Sequence, residues 1–220
     1  MIKKEQKTSE LTDEDLIRRF QEGDIYAFDA IVNRYKDQLL NFAYRFLNNL
    51  EEAEDVVQET FLRIFRNKHA YRQIAKFSTW IYTIAGNLAK TELRKRKRRR
   101  YVYISDMGFD DKEYEIEDTQ ANAEKEVESL FQEKQIQKAI SELGPRFRQV
   151  ILLVDVQELP YEEVSKIMRV PLGTVKSRVN RARLKLQAKL SDIMERELKT
   201  KQRGADERLR QNQAKRLSIS

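Results

Sequence analysis

The chain of 220 residues contains no cysteine, which excludes disulfides, thiolate nucleophiles and cysteine-based zinc sites. It has a single histidine, His69, so a multi-histidine metal site is impossible. Six glycines and three prolines are few where average usage would put roughly 12% of a chain in those two residues. All three prolines, Pro145, Pro160 and Pro171, lie in the C-terminal third, so no obligate helix breaker interrupts the preceding sequence. Sandwiches and barrels, which need many turn residues, do not fit this composition, and an all-α chain does. Glycine-rich phosphate cradles of the GxGxxG and GxxxxGK[ST] types are missing. The longest strongly apolar run, Val150–Val154, is too short to cross a bilayer, and the first residues lack the apolar segment of an export signal. The expected location is the cytoplasm, without membrane insertion.

Charge is what the chain has in excess. Charged residues make up 36%, and the net charge is +7, which suggests a polyanionic partner. The charge comes in blocks. Arg94–Arg100 is seven consecutive cations, Asp106–Asp118 carries seven acids and one lysine, and Ser165–Lys189 carries eight cations and no acid. Two basic blocks, each following an apolar-periodic segment, point to nucleic acid more than to solvated helix faces.

The apolar periodicity predicts two helical domains. Thr12 or Asp13 caps a short helix with Leu16, Ile17 and Phe20 inward; Gly23 ends it and Asp24 caps the next. A long stripe from Phe28 to Phe46 follows, broken at Asn48-Asn49. A third helix, near 51–66, buries Ala53, Val56, Val57, Phe61, Ile64 and Phe65, and a fourth, capped by Ser78, buries Ile81, Ile84, Ala85 and Leu88 before entering the basic block. Residues 12–100 form the first domain, and 101–126 form a flexible acidic linker. Residues 127–195 form the second domain, with Leu130, Ile136, Ile140 and Leu143 as its first apolar row, and 196–220 form a basic tail expected to be disordered.

Three faces carry chemistry. In Leu159–Leu186 a short helix, a turn shaped by Pro171 and Gly173, and a second helix form a helix-turn-helix. Val164, Ile167, Val175 and Val179 pack the pair. Thr174 caps the second helix, which leaves its N-terminus to a phosphate. Lys176, Ser177, Asn180 and Arg181 share its exposed face and suit base edges, while Arg178, Arg183 and Lys185 flank it and suit phosphates. On the fourth helix Trp80, Asn87, Lys90 and Arg94 share a polar face with Thr83 and Thr91. The loop before it adds His69, Tyr71, Arg72 and Lys76, a cationic and aromatic set able to hold unpaired bases. On the third helix Asp55, Gln58, Glu59 and Leu62 make an acidic stripe with one leucine, a candidate protein-docking face.

The segments EEAEDVVQETFLRIFRN, KFSTWIYTIAGNLAK and ELGPRFRQVILLVDVQELPYEEVSKIMRVPLGTVKSRVNRARLKL resemble regions 2 and 4 of bacterial extracytoplasmic-function sigma factors. The resemblance covers about 12–100 and 127–190. It implies that the third helix docks on the clamp helices of the largest subunit of core RNA polymerase. It implies that the loop and start of the fourth helix capture a flipped base of the −10 element, and that the last helix reads the −35 element. It also implies a linker threaded toward the RNA exit path and an anti-sigma factor that masks both domains. Region 4 often has Leu-Pro where this chain has Leu143-Gly144-Pro145, and the Arg94–Arg100 block is denser than usual. The expected function is promoter recognition, DNA melting and transcription initiation, without catalysis or cofactor. The alternative is a stand-alone helix-turn-helix regulator that binds duplex DNA without polymerase. A carboxylate-metal nuclease is disfavoured, because the clustered acids are unspaced and sit in the linker.

Overall fold

The computed structural model describes residues 11–107, 124–192 and 195, with side chains for 11–99, 131–192 and 195. The described residues contain helices and turns and no strand. Helix α1 spans Asp13–Gln21. The Thr12 hydroxyl oxygen accepts from the Asp15 amide at 3.2 Å, and three acids in the first turn suit the positive end of the helix dipole. Gly23, at φ +104°, makes the sharp stop that a side chain would resist. Asp24 then caps α2, Ile25–Leu47. Asn48 closes α2 in the left-handed conformation, its amide donating to Tyr44 O at 2.7 Å, and Asn49 caps α3, Leu50–Arg66. Two adjacent asparagines thus end one helix and start the next.

A single 3₁₀ turn, Lys68–Ala70, leads to the loop before α4, Phe77–Met107. Ser78 does not cap α4. The Glu14 carboxylate accepts from the Phe77 amide at 3.0 Å, and Ser78 lies inside the helix with its hydroxyl turned elsewhere. A carboxylate on α1 satisfies the orphan amide more strongly than a hydroxyl, and the sequence does not reveal a partner 63 residues away. The core of this unit is made by Leu16, Ile31, Leu39, Phe42, Phe46, Ile64 and Ile81. On α3, Ala53, Val56 and Ile64 are buried and Val57 and Phe61 half-buried, but Phe65 is exposed, against expectation. The expected linker, 101–126, falls largely outside the described residues.

The C-terminal unit begins with α5, Glu124–Ser141, followed by α6, Pro145–Ile151, which has proline at its first turn. A π-helical turn, Leu152–Val156, continues α6 and ends at Glu158 in a left-handed conformation. Helix α7 is Tyr161–Met168, and Arg169, also left-handed, turns the chain into α8, residues 172–192. Ile140 and Leu143 are buried, while Ile136 is exposed. Val164, Ile167, Val175, Val179 and Ala182 pack α7 against α8 as the periodicity predicts.

The two units meet along a seam. α4 packs against α7, and α2 packs against α5 and α6. Across it Lys76 Nζ lies 2.5 Å from Glu163, Ser78 donates to Glu163 at 3.0 Å, and the Tyr82 hydroxyl donates to Gln157 at 2.5 Å. Gln137 donates to Arg45 O at 3.2 Å, and the Arg148 guanidinium donates to Phe46 O.

Candidate nucleic-acid and polymerase interfaces

Helix α8 divides into two faces. Val175, Val179 and Ala182 are buried against α7, and Lys176, Ser177, Asn180 and Arg181 are exposed on the opposite side. Thr174 is not the cap. The amides of Thr174 and Val175 both donate to Pro171 O, so the helix starts before Thr174, whose own carbonyl accepts from Ser177 Oγ at 3.0 Å. Pro171 supplies the fixed φ and needs no hydrogen-bond acceptor, which lets it take the entry position. Arg178 is half-buried at the edge of the exposed face. Arg183 is already engaged: its guanidinium grips Asp155 of the π-turn through two bonds, of 3.1 and 2.5 Å. That carboxylate raises the Arg183 pKa. The pair ties α8 to the π-turn, and a phosphate must compete with Asp155 for it.

The second face runs along α4. Asn87, Lys90, Thr91, Arg94 and Lys97 line an open groove of about 480 Å³ whose other wall includes Pro145 of the C-terminal unit. Burial, and then the charges of Arg94 and Arg169, lower the Lys90 pKa, as clustered cations awaiting an anion would. The loop above the groove presents His69 and Arg72, both exposed. Tyr71, expected on the strand-facing side, is buried instead. Its hydroxyl donates to Ala75 O at 2.8 Å and burial pushes its pKa up to about 12. Its ring packs 5.4 Å from Trp80 and 5.7 Å from Phe77, so it shapes the loop from beneath. Trp80 is half-buried, with part of the indole open. Lys76 is held by Glu163, which raises its pKa.

The third face is on α3. Asp55, Gln58 and Leu62 are exposed in one row, with Glu59 half-exposed between them and paired to Arg63 at 2.7 Å. Phe65 and Leu62, 46% and 39% exposed, extend the stripe with apolar surface. The rings of Phe20, Phe28, Phe61 and Phe65 pack at 4.7 to 6.4 Å, so the exposed part of this patch stands on a rigid base.

Comparison with known proteins places these faces in a family. The sigma-70 region 2 family matches residues 31–99, and the sigma-70 region 4 family matches residues 133–186. The chain is 37% identical over 179 residues to the ECF RNA polymerase sigma factor SigW of Bacillus subtilis, covering 80% of this chain and 96% of that protein. It belongs to the extracytoplasmic-function sigma factors. It is also 32% identical over 185 residues to the RNA polymerase sigma-H factor of Pseudomonas aeruginosa, covering 83% and 95%. The solved structure of CnrH in complex with the cytosolic domain of CnrY shares the fold, with a TM-score of 0.63 at 20% identity, covering 82% of this chain and 97% of that one. The sigma factor RpoE in complex with the anti-sigma factor NepR from Bartonella quintana gives a TM-score of 0.57 at 26% identity, covering 74% and 96%.

In this sigma factor the basic block on α4 is only partly a nucleic-acid surface. Arg96 donates to Leu47 O at 3.0 Å and to Glu52, and Arg99 pairs with Glu92 at 2.6 Å, so these two bolt α4 to the α2–α3 corner. Arg94, Lys97 and Arg98 stay exposed. Lys97 was missed by the sequence reading as a groove residue; its step of three from Arg94 is the signal that could have found it. Among the described residues no cluster of potential metal ligands occurs. No described helix is long and apolar enough to cross a membrane.

Proposed function

We propose that the three faces divide the work of promoter recognition. The Asp55, Gln58, Glu59 and Leu62 stripe docks on the clamp helices of core RNA polymerase. His69, Arg72 and Lys76 of the loop, the open side of Trp80, and the groove of Asn87, Lys90 and Arg94 hold the melted −10 strand. Lys176, Ser177, Asn180 and Arg181 read the −35 element in the major groove, with Thr174, Arg178 and Arg183 at its phosphates. The observation that carries the reading is the partition of α8: a buried apolar side against α7 and an opposite side bearing two cations, a serine and an asparagine. A groove-bound recognition helix requires that partition. The chain acts as a specificity subunit without chemistry of its own, in the cytoplasm, held in check by an anti-sigma factor of the kind that RpoE binds.

The test is run-off transcription with purified core polymerase on a promoter library, with transcript starts sequenced. The sigma factor should direct starts from a defined set of −10 and −35 variants and co-elute with core. Tight binding of promoter duplex without core, and no directed starts, would instead make it a stand-alone regulator. Within the library, Arg181→Ala should change which −35 variants are used, because a lost base contact costs about 1–3 kcal/mol at one position. If Arg181→Ala scales every variant down equally, Arg181 binds phosphate.

A further inference from the structure

The seam between the two units is polar where a permanent one would be apolar. Six polar or charged residues are buried among those described, and four of them, Gln137, Arg148, Gln149 and Glu163, touch or face the opposite unit. A fifth, Thr79, lies on α4 between Ser78 and Tyr82, both of which bond to the C-terminal unit. Two buried side-chain atoms have no hydrogen-bond partner, Thr79 Oγ1 and Gln137 Oε1, and both belong to this set. Orphaned polar atoms concentrated on one surface mark a surface that also spends time in water.

The seam covers one DNA-binding face and leaves another free. Glu163, on the first helix of the helix-turn-helix, places its carboxylate on Lys76 and Ser78, and Pro145 walls the groove of Asn87, Lys90 and Arg94. The outer side of α8 remains exposed. Elements named −10 and −35 lie about 25 base pairs apart, roughly 85 Å at 3.4 Å per pair. Units in contact with one another cannot span that distance.

We propose that this is a self-masking latch, in which Glu163 stands where a promoter phosphate will sit and α7 shields the −10 side of α4 until the seam parts. The inference rests on the reading of the α4 loop and groove as the strand site. Closed, the chain presents α8 to duplex but refuses single strand; opened, it presents both. Each unit keeps its own framework on opening. Arg148 retains Ile140 O, Ser141 O and Leu143 O and gives up only Phe46 O, and Tyr82 still packs its ring 5.6 Å from Phe42.

The full chain, free of cysteine, allows a clean test. Spin labels at Asp29→Cys and Gln187→Cys, both exposed, report the separation of the units. The variant combining Tyr82→Phe, Gln157→Ala and Glu163→Gln removes the latch, and Glu162→Gln, at an exposed neighbour, matches its charge. The latch variant should lengthen and broaden the label distance and bind a fluorescent random-sequence 12-nucleotide single strand about fivefold to tenfold more tightly, because apparent affinity scales with the competent fraction. Glu162→Gln should do neither. An unchanged distance overturns the latch. A lengthened distance with unchanged affinity overturns the masking, and the strand site itself stands if Lys76→Ala or Lys90→Ala weakens the remaining binding. If neither substitution weakens binding in the opened chain, the strand-site reading fails and the masking with it.

Discussion

Arg148 is the most heavily committed side chain in the C-terminal unit. It is buried without a carboxylate partner and donates instead to four carbonyls, those of Phe46, Ile140, Ser141 and Leu143. Burial, and then the charge of Arg96, pushes its pKa down to about 10, still well above neutral, so it remains a cation. Its acceptors are the unsatisfied carbonyls at the ends of α2 and α5, which no helical amide can reach. Arg148→Met keeps the volume and strands those carbonyls. Each buried orphan costs about 1–3 kcal/mol, so the loss in urea unfolding should be on the order of 3 kcal/mol or more. A loss under about 1 kcal/mol would mean that water replaces the guanidinium. Asp155 makes the opposite kind of residue-scale prediction. It holds Arg183, and Asp155→Asn should release that cation, tighten duplex binding at low salt and steepen the salt dependence by about one counterion. If binding instead weakens, the pair positions α8, and Arg183 serves the fold.

At the scale of elements, the α3 stripe is tested by Asp55→Lys with Glu59→Lys. Both side chains face outward from a helix whose buried row is Ala53, Val56, Thr60 and Ile64, so the helix should persist. Co-elution with core polymerase should be lost while the circular dichroism of the chain is unchanged; normal co-elution removes the docking role. The helices themselves were legible in the sequence because their signals are local. Thr12, Asp24 and Asn49 cap within three residues of the amides they satisfy, and the apolar spacing of α2 and of α7–α8 returns as burial. Where a local signal met a distant competitor, the sequence misled. Ser78 had the composition of a cap, but Glu14 had the position. Thr174 likewise lost to Pro171, whose ring fixes the first turn. The π-turn at Leu152–Val156 has no apolar signature that separates it from ordinary helix, yet it carries Asp155 to Arg183 and Gln157 to Tyr82.

At the scale of the molecule, the exposed candidates on α3, the α4 groove and α8 were legible as periodic faces, and the seam was not. Its pairs join residues 75 to 102 positions apart, such as Tyr82 with Gln157 and Phe46 with Arg148, and polar pairs at that range leave no periodicity. The seam also decides how the chain unfolds. If each half holds its own core, prying the halves apart should leave both folded. Gly86 on α4 is the place to pry: a Cβ built there would lie 2.6 Å from Gln149 Nε2 across the seam and only 3.9 Å from Phe42, its nearest neighbour in its own unit. Gly86→Leu adds a bulk that the N-terminal unit tolerates on a surface helix, where leucine also favours helix over glycine by roughly 0.5–1 kcal/mol. The wedge meets only the C-terminal unit. Helical content at room temperature should therefore be unchanged, and thermal unfolding should separate into two transitions, one for each unit, because cooperativity across the contact is lost. A single transition shifted down as a whole would show that the two units share one indivisible core, and that the promoter-bound form must be reached by partial unfolding instead of by parting along a seam.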